Sequence, residues 1–202
     1  MRRPPRVAKE RVLETLHLKL CAPQIYPNLL LLHRKDYAVI LETARTIIRG
    51  WKEADIPAYA QIVADPDVMR FIGDGSVHTA AQATVFVHHM RQQARERGWI
   101  PWAVEAKATG ALMGWCGFGL REEQVDFGYR FAKSFWGQGF GTEVAQAVLA
   151  YGIAQYQLVH CTAAAFVENT ASRRILEKLG FRVERYGEQY GKRVAYYTYT
   201  TC

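Results

Sequence analysis

The 202-residue chain is 50% apolar and 22% charged, a balance that allows one domain with a buried core and an appended segment, and excludes overall disorder. Its longest aliphatic run, Leu29-Leu30-Leu31-Leu32, is far short of the roughly 20 residues of a membrane span. The net charge of +7 sits mainly in residues 1–38, with 8 Lys/Arg against 3 Asp/Glu. Residues 39–202 hold 18 against 16, without the basic runs and interleaved aromatics of a nucleic-acid track.

Residues 1–38 form a basic arm. Arg2-Arg3-Pro4-Pro5-Arg6 opens it, Pro23 and Pro27 break it, and Lys19 interrupts its best apolar stretch, Leu16 to Cys21, so it is not read as a secretory signal. It is an irregular packing segment, or reflects a start codon set too far upstream. Cys21, Cys116, Cys161 and Cys202 are scattered without a CxxC pair, which points to reduced thiols, a cytoplasmic location and no zinc site.

A first strand is predicted over Arg45–Arg49, rich in β-branched residues. Ile56, Tyr59, Ala60 and Val63 follow helical spacing. A second helix opens at Thr79, with Gln82 completing a capping box, and carries the stripe Ala83, Phe86, Val87, Met90 and Ala94. Strands over Pro101–Lys107 and Ala111–Leu120 flank the connection Ala108-Thr109-Gly110, and Val125–Phe131 follows. After a Gly-rich loop comes a helix with Val144, Ala147, Val148 and Tyr151 on one face. His160–Phe166 is a strand. Ser172–Leu179 is a helix stopped by Gly180, and Phe181–Tyr186 and Val194–Thr200 are the last strands. The order is β-αα-βββ-α-β-α-ββ, an α/β domain with a mixed sheet.

The informative stretch is Tyr129 to Glu143. A strand ends, Gly137, Gly139 and Gly141 alternate with other residues, and a helix begins. Glycines admit a ligand close to the backbone, and the helix N-terminus offers unpaired N–H groups, so this turn can cradle a pyrophosphate. A tight turn alone would also need glycine there. The spacing is neither Walker A nor GxGxxG, and no GK[ST] is present, which argues against nucleotide hydrolysis. A second constellation is Glu168-Asn169-Thr170-Ala171-Ser172, where Asn169 or Thr170 would cap a helix whatever the function.

Over about residues 41–200 the chain resembles the GCN5-related N-acetyltransferase (GNAT) superfamily, in its ribosomal-protein-alanine acetyltransferase branch. The matching fragments are Leu41-Glu42-Thr43-Ala44-Arg45, Asp65 to Gly73, Trp102-Ala103-Val104 and Gly114-Trp115-Cys116-Gly117. Gly128-Tyr129, Trp136 to Glu143, Asn169 to Ser172 and Glu177 to Phe181 complete the series. The resemblance implies one α/β domain over residues 39–202. Its sheet would be mixed and mostly antiparallel, of six to seven strands, with helices on both faces. It implies acetyl-CoA as cosubstrate, no metal, and a primary amine as acceptor, on a protein N-terminus or a small molecule. Neither nucleic acid nor membrane is an expected partner, and monomer and homodimer both stay open.

The family loop is written [RQ]xxGx[GA], and Trp136 takes its first place here. The implied cofactor residues are Phe131, Gln138, Gly139, Phe140, Gly141, Thr142, Asn169 and Ser172. The strands ending near Phe131 and starting at His160 are expected to splay around the pantetheine arm. Many members carry a Tyr, as proton donor to the thiolate, where this chain has Leu176. Ser172, or a water near it, takes that role instead. A base must deprotonate the amine, which is mostly charged at neutral pH. Asp126 is the candidate, with a solvated strand-edge carboxylate as the plain alternative and Glu143 and Glu168 in reserve. His88-His89 is read as a polar helix face, and His160 as a packed core residue. Two rivals remain. One is a non-catalytic acyl-CoA-binding sensor or interaction module, for which Leu176 speaks, and the other is a nucleic-acid-associated protein using the arm.

Overall fold

The computed structural model describes residues 38–201. The predicted arm over 1–38 lies, apart from Ala38, outside the described residues. Eight strands form one sheet in the order β1-β2-β3-β4-β5-β6-β8-β7. They are β1 (Val39–Glu42), β2 (Thr46–Arg49), β3 (Pro101–Ala106), β4 (Leu112–Arg121), β5 (Gln124–Phe131), β6 (His160–Phe166), β7 (Arg182–Gln189) and β8 (Lys192–Thr200). Five helices accompany them among the described residues: α1 (Ile56–Ala64), α2 (Pro66–Met69), α3 (Ala80–Arg97), α4 (Phe140–Tyr156) and α5 (Thr170–Lys178). All pairings are antiparallel except β5 with β6.

The sheet has one or two strands more than expected. The addition is β1, four residues at the sheet edge that pair with β2. Residues 41–45 read as a lead-in; in the structure the Thr43 amide donates to Thr46 O at 2.9 Å and closes the turn between the two strands. Thr43 Oγ1 accepts from the Thr46 amide at 3.0 Å.

Alternation along the strands assigns the helices to two faces. Trp102 and Phe118 point to one face. There Trp102 meets Tyr151 edge-on at 5.7 Å, and a Cβ on Gly152 of α4 would overlap the Phe118 ring. Trp115 points to the other face, where Phe86 of α3 lies 6.4 Å away and stacks in turn on Tyr59 of α1 at 4.7 Å. The α3 start forms as read: the Gln82 amide donates to Thr79 Oγ1, and the Thr79 amide donates to Gln82 Oε1 at 2.8 Å.

Charge is buried at one place away from the helix faces. Arg49 grips Asp55 with two bonds of 2.8 Å and Glu105 with one of 2.7 Å. Burial works against the Arg49 cation, but the two carboxylates outweigh it and hold its pKa above the ordinary value.

Candidate active site

Strands β5 and β6 run parallel and register at Asp126 opposite Thr162. A cavity of about 530 Å³ lies at the β5 end, bordered by Phe131, Gly139, Gly141 and Ile175. A smaller one of about 270 Å³ lies between the strands, bordered by Asp126, Gly128 and Ala163 to Phe166. Phe71, Ile72, Tyr129, Arg130, Asn169 and Ser172 line both.

At the outer end, Trp136 Nε1 donates to Phe131 O at 2.8 Å and Gln138 Nε2 donates to Ser134 O at 2.7 Å, so both side chains fold the loop onto β5. Gly137 and Gly139 hold positive φ (73° and 81°). Gly139 is the N-cap of α4, and no side chain caps that end. The Glu143 amide is the first to donate back, to Gly139 O. The N–H groups of Phe140, Gly141 and Thr142 therefore have no intrahelical acceptor and suit a phosphate. A Cβ on Gly139 would take up open space at that turn, with only Arg45 Nη2 nearby at 3.6 Å, and one on Gly141 would press on Ile175 at 3.0 Å.

The sequence did not single out Arg45 beyond the fragment that contains it. Its Nε donates to Glu143 Oε2 at 2.7 Å and its Nη1 to Gln138 O at 3.0 Å, and its guanidinium lies 4.0 Å from the Phe140 ring centroid. Burial raises the Glu143 pKa, but bonds from Thr43 and Arg45 outweigh it and leave the carboxyl below its usual range. Held this way, Glu143 braces the turn and makes a poor base. Glu168, the other reserve, is exposed and lines neither cavity.

At the inner end, Asn169 caps α5 by accepting from the Ser172 amide at 3.1 Å. Ser172 Oγ lies 3.1 Å from Tyr129 Oη, which also donates to Ser172 O at 2.9 Å. In the sequence Tyr129 stands out only as part of the fragment Gly128-Tyr129. Its signal was a hydroxyl among the inward-facing Phe127, Tyr129 and Phe131. Burial pushes its phenol pKa up. Leu176 is 2% exposed and serves the core.

Asp126 lines the smaller cavity, paired with Arg121 at 2.9 Å and 3.3 Å from Thr162 Oγ1. Burial raises its pKa, opposed by Arg121 and Thr162. Two steps along the same strand face is Arg130. Its Nη1 donates to Tyr59 Oη at 3.1 Å, its buried Nε has no partner, and among the described residues no carboxylate pairs with it.

His88 and His89 are exposed on α3, as a polar face should be. His160 corrects its reading: it is exposed and bonds Thr198 Oγ1 at 2.8 Å, because it begins β6 and points away from the core. Among the described residues no cluster of three His, Cys, Asp or Glu could hold a metal, and no helix is long and apolar enough to cross a membrane.

The Acetyltransferase (GNAT) domain family matches residues 45–182. YoaA of Bacillus subtilis (strain 168), described as an uncharacterized N-acetyltransferase, is 30% identical over 154 residues, 75% of this chain and 87% of its own. A GNAT-family acetyltransferase structure from Bacillus anthracis superposes with a TM-score of 0.68 at 27% identity, covering 79% of this chain and 97% of the other. The fold is shared with a ribosomal L7/L12 alpha-N-protein acetyltransferase in complex with coenzyme A. That match has a TM-score of 0.69 at 18% identity and covers 81% of this chain and 98% of the other.

Proposed function

The chain belongs to the GNAT acetyltransferase family, and from that premise we propose that it transfers the acetyl group of acetyl-CoA to a primary amine on a protein N-terminus or a small molecule. The observation that carries this reading is a pair of adjoining cavities that share six lining residues, one at the open N-terminus of α4 and the other beside Asp126. Acetyl-CoA, when bound, supplies a thioester carbonyl. The N–H groups of Phe140 to Thr142 would hold its pyrophosphate, with Gln138 and Gly139 shaping the turn and Phe131, Asn169 and Ser172 lining the way inward.

Asp126 takes the proton from the ammonium, directly or through a water, so that the nitrogen lone pair is free to attack. Ser172 Oγ gives a proton to the departing sulfur, and Tyr129 Oη stands within hydrogen-bond reach to share that load. These hydroxyls answer the substitution of Leu176, the feature that favoured a non-catalytic sensor. The catalytic body is residues 39–202. The reading places it in the cytoplasm, where free thiols such as those of Cys116 and Cys161 stay reduced.

The test is release of free CoA from acetyl-CoA across a panel of primary amines and N-terminal peptides. No release with any acceptor, from a protein that binds acetyl-CoA, would return the sensor. Gly139→Val should lower acetyl-CoA affinity at least tenfold by calorimetry, since Gly139 combines φ of 81° with open space at the turn. Unchanged affinity in a folded variant would remove the cradle.

A further inference from the structure

The smaller cavity contains charge that its own residues leave unbalanced. Asp126 and Arg121 neutralise each other there. Arg130, on the same face of β5, has among the described residues only the neutral Tyr59 hydroxyl and the Trp115 ring, 5.7 Å from its guanidinium. Gly128 lies between Asp126 and Arg130, where a Cβ would come within 3.4 Å of the Trp115 ring, and all four residues border the same cavity. Burial also lowers the Arg130 pKa, opposed by Tyr59, which is the mark of a cation without an anion.

From this geometry we infer that Arg130 receives a carboxylate of the acceptor, and that the acceptor is a small amino acid or amino-acid-like amine. This rests on the acetyl-transfer reading and names its substrate class. An acceptor amine arrives as an ammonium, and a site with net positive charge repels a plain cationic amine or polyamine. An amine that carries its own carboxylate is neutral overall and places one charge toward Asp126 and the other toward Arg130. The guanidinium fork suits a planar carboxylate. The volume of about 270 Å³ falls below the range of about 300–1,000 Å³ usual for drug-sized ligands. Peptide N-termini place an amide where an amino acid has its acid, and so leave the fork unfilled.

The experiment is calorimetric titration of the full chain, in the presence of CoA, with N-acetylglycine, N-acetylleucine and N-acetylphenylalanine and with the amide of each. At least one acid should bind tenfold or more tighter than its amide. The preference should collapse to within about twofold in Arg130→Gln, each measurement being made at saturating CoA. Equal binding of acid and amide, no binding of the acids, or a preference that survives in Arg130→Gln overturns the inference. Should Arg130→Gln fail to fold, Arg130→Lys keeps the charge without the fork and must weaken the preference several-fold; an unchanged preference overturns it equally. Acetyl transfer itself is read separately by CoA release, so either reading can fall while the other stands.

Discussion

Arg49 and Arg130 are two arginines held largely away from solvent, and their surroundings are opposites. Arg49 is 3% exposed and answered by carboxylates, with a bidentate grip on Asp55 and a further bond to Glu105, and it borders neither cavity described above. Arg130 borders both cavities, with one neutral hydroxyl and an orphaned Nε. Removing a charge from water costs several kcal/mol unless partners answer it. At Arg49 the fold answers within itself, so that cluster serves structure. At Arg130 the answer is left to a ligand.

The largest effect should come from breaking the closed cluster. Asp55→Ala leaves Arg49 buried without its two bonds to Asp55, and losing one partner of a buried pair costs about 3–5 kcal/mol. The melting temperature should fall by roughly 10 °C, while acetyl-CoA affinity of the folded fraction stays constant. Glu105 adds a pH signature. Burial raises its pKa, but Arg49 and Lys52 outweigh this and lower it. Its stabilisation is present above the unfolded value of 4.5 and is lost as pH falls through the folded one. A melt of Asp55→Ala as high as wild type would end the contrast at once.

Asp126 is the intermediate case, a part-buried carboxylate in the cleft whose Arg121 partner is 40% exposed. Asp126→Asn should cost on the order of 10²-fold in turnover below pH 8, the usual range for a general base. The loss should shrink at higher pH, where more of the amine is already neutral. Stability should move the other way. A carboxyl with a raised pKa favours the folded state below the unfolded value of 3.8 and loses that advantage as pH rises through the folded value. Asn titrates nowhere, so at pH 7 the variant should melt no lower than wild type. A rate ratio that is flat with pH would remove Asp126 as the base.

What the sequence disclosed follows the same division. The capping box at Thr79 and Gln82, the glycine turn at 137–141 and the Asn169 cap are local, written within a few residues, and all three form. What stayed hidden depends on partners far along the chain. Arg45 meets Glu143 from 98 residues away, Tyr129 meets Ser172 from 43, and Arg130 meets Tyr59 from 71. That no carboxylate among the described residues meets Arg130 is a property of what folds around it, and no window of sequence contains it. Strand β1 escaped for a related reason, since four residues carry too little pattern until β2 pairs with them.

Ser172 tests whether a neutral group in the cleft behaves like Asp126 or like a cap. CoA is a fairly good leaving group, so a missing acid is tolerated better than a missing base. Ser172→Ala should therefore cost about 10-fold in turnover, below the usual range of about 10²–10⁴-fold for proton transfer, because Tyr129 Oη is left to supply the proton. The α5 cap uses the Ser172 amide and Asn169 Oδ1, both of which survive the change, so the melt should hold. Adding Tyr129→Phe removes the second hydroxyl and should cost more than the two single losses multiplied together. Independent, merely multiplying effects would show that the pair does not share the proton.

The smallest effect is expected where intuition about buried arginine puts a large one. Arg130→Met removes a cation whose burial is unfavourable, and with it one bond to Tyr59 Oη and a ring contact with Trp115. The lost neutral partner costs about 1 kcal/mol. The ring contact at its distance adds at most about that again. Against these stands the desolvation of an unpaired guanidinium, several kcal/mol before relaxation. Methionine fills an irregular apolar gap well and carries no polar atom that needs a partner. The terms nearly cancel, so stability should stay within about 1 kcal/mol of wild type or rise, whereas Asp55→Ala loses several. Chemical denaturation of both variants side by side is the measurement. A loss at Arg130 as large as the one at Asp55 would mean that the fold uses both arginines alike, and that the open charge in the cleft is structural after all.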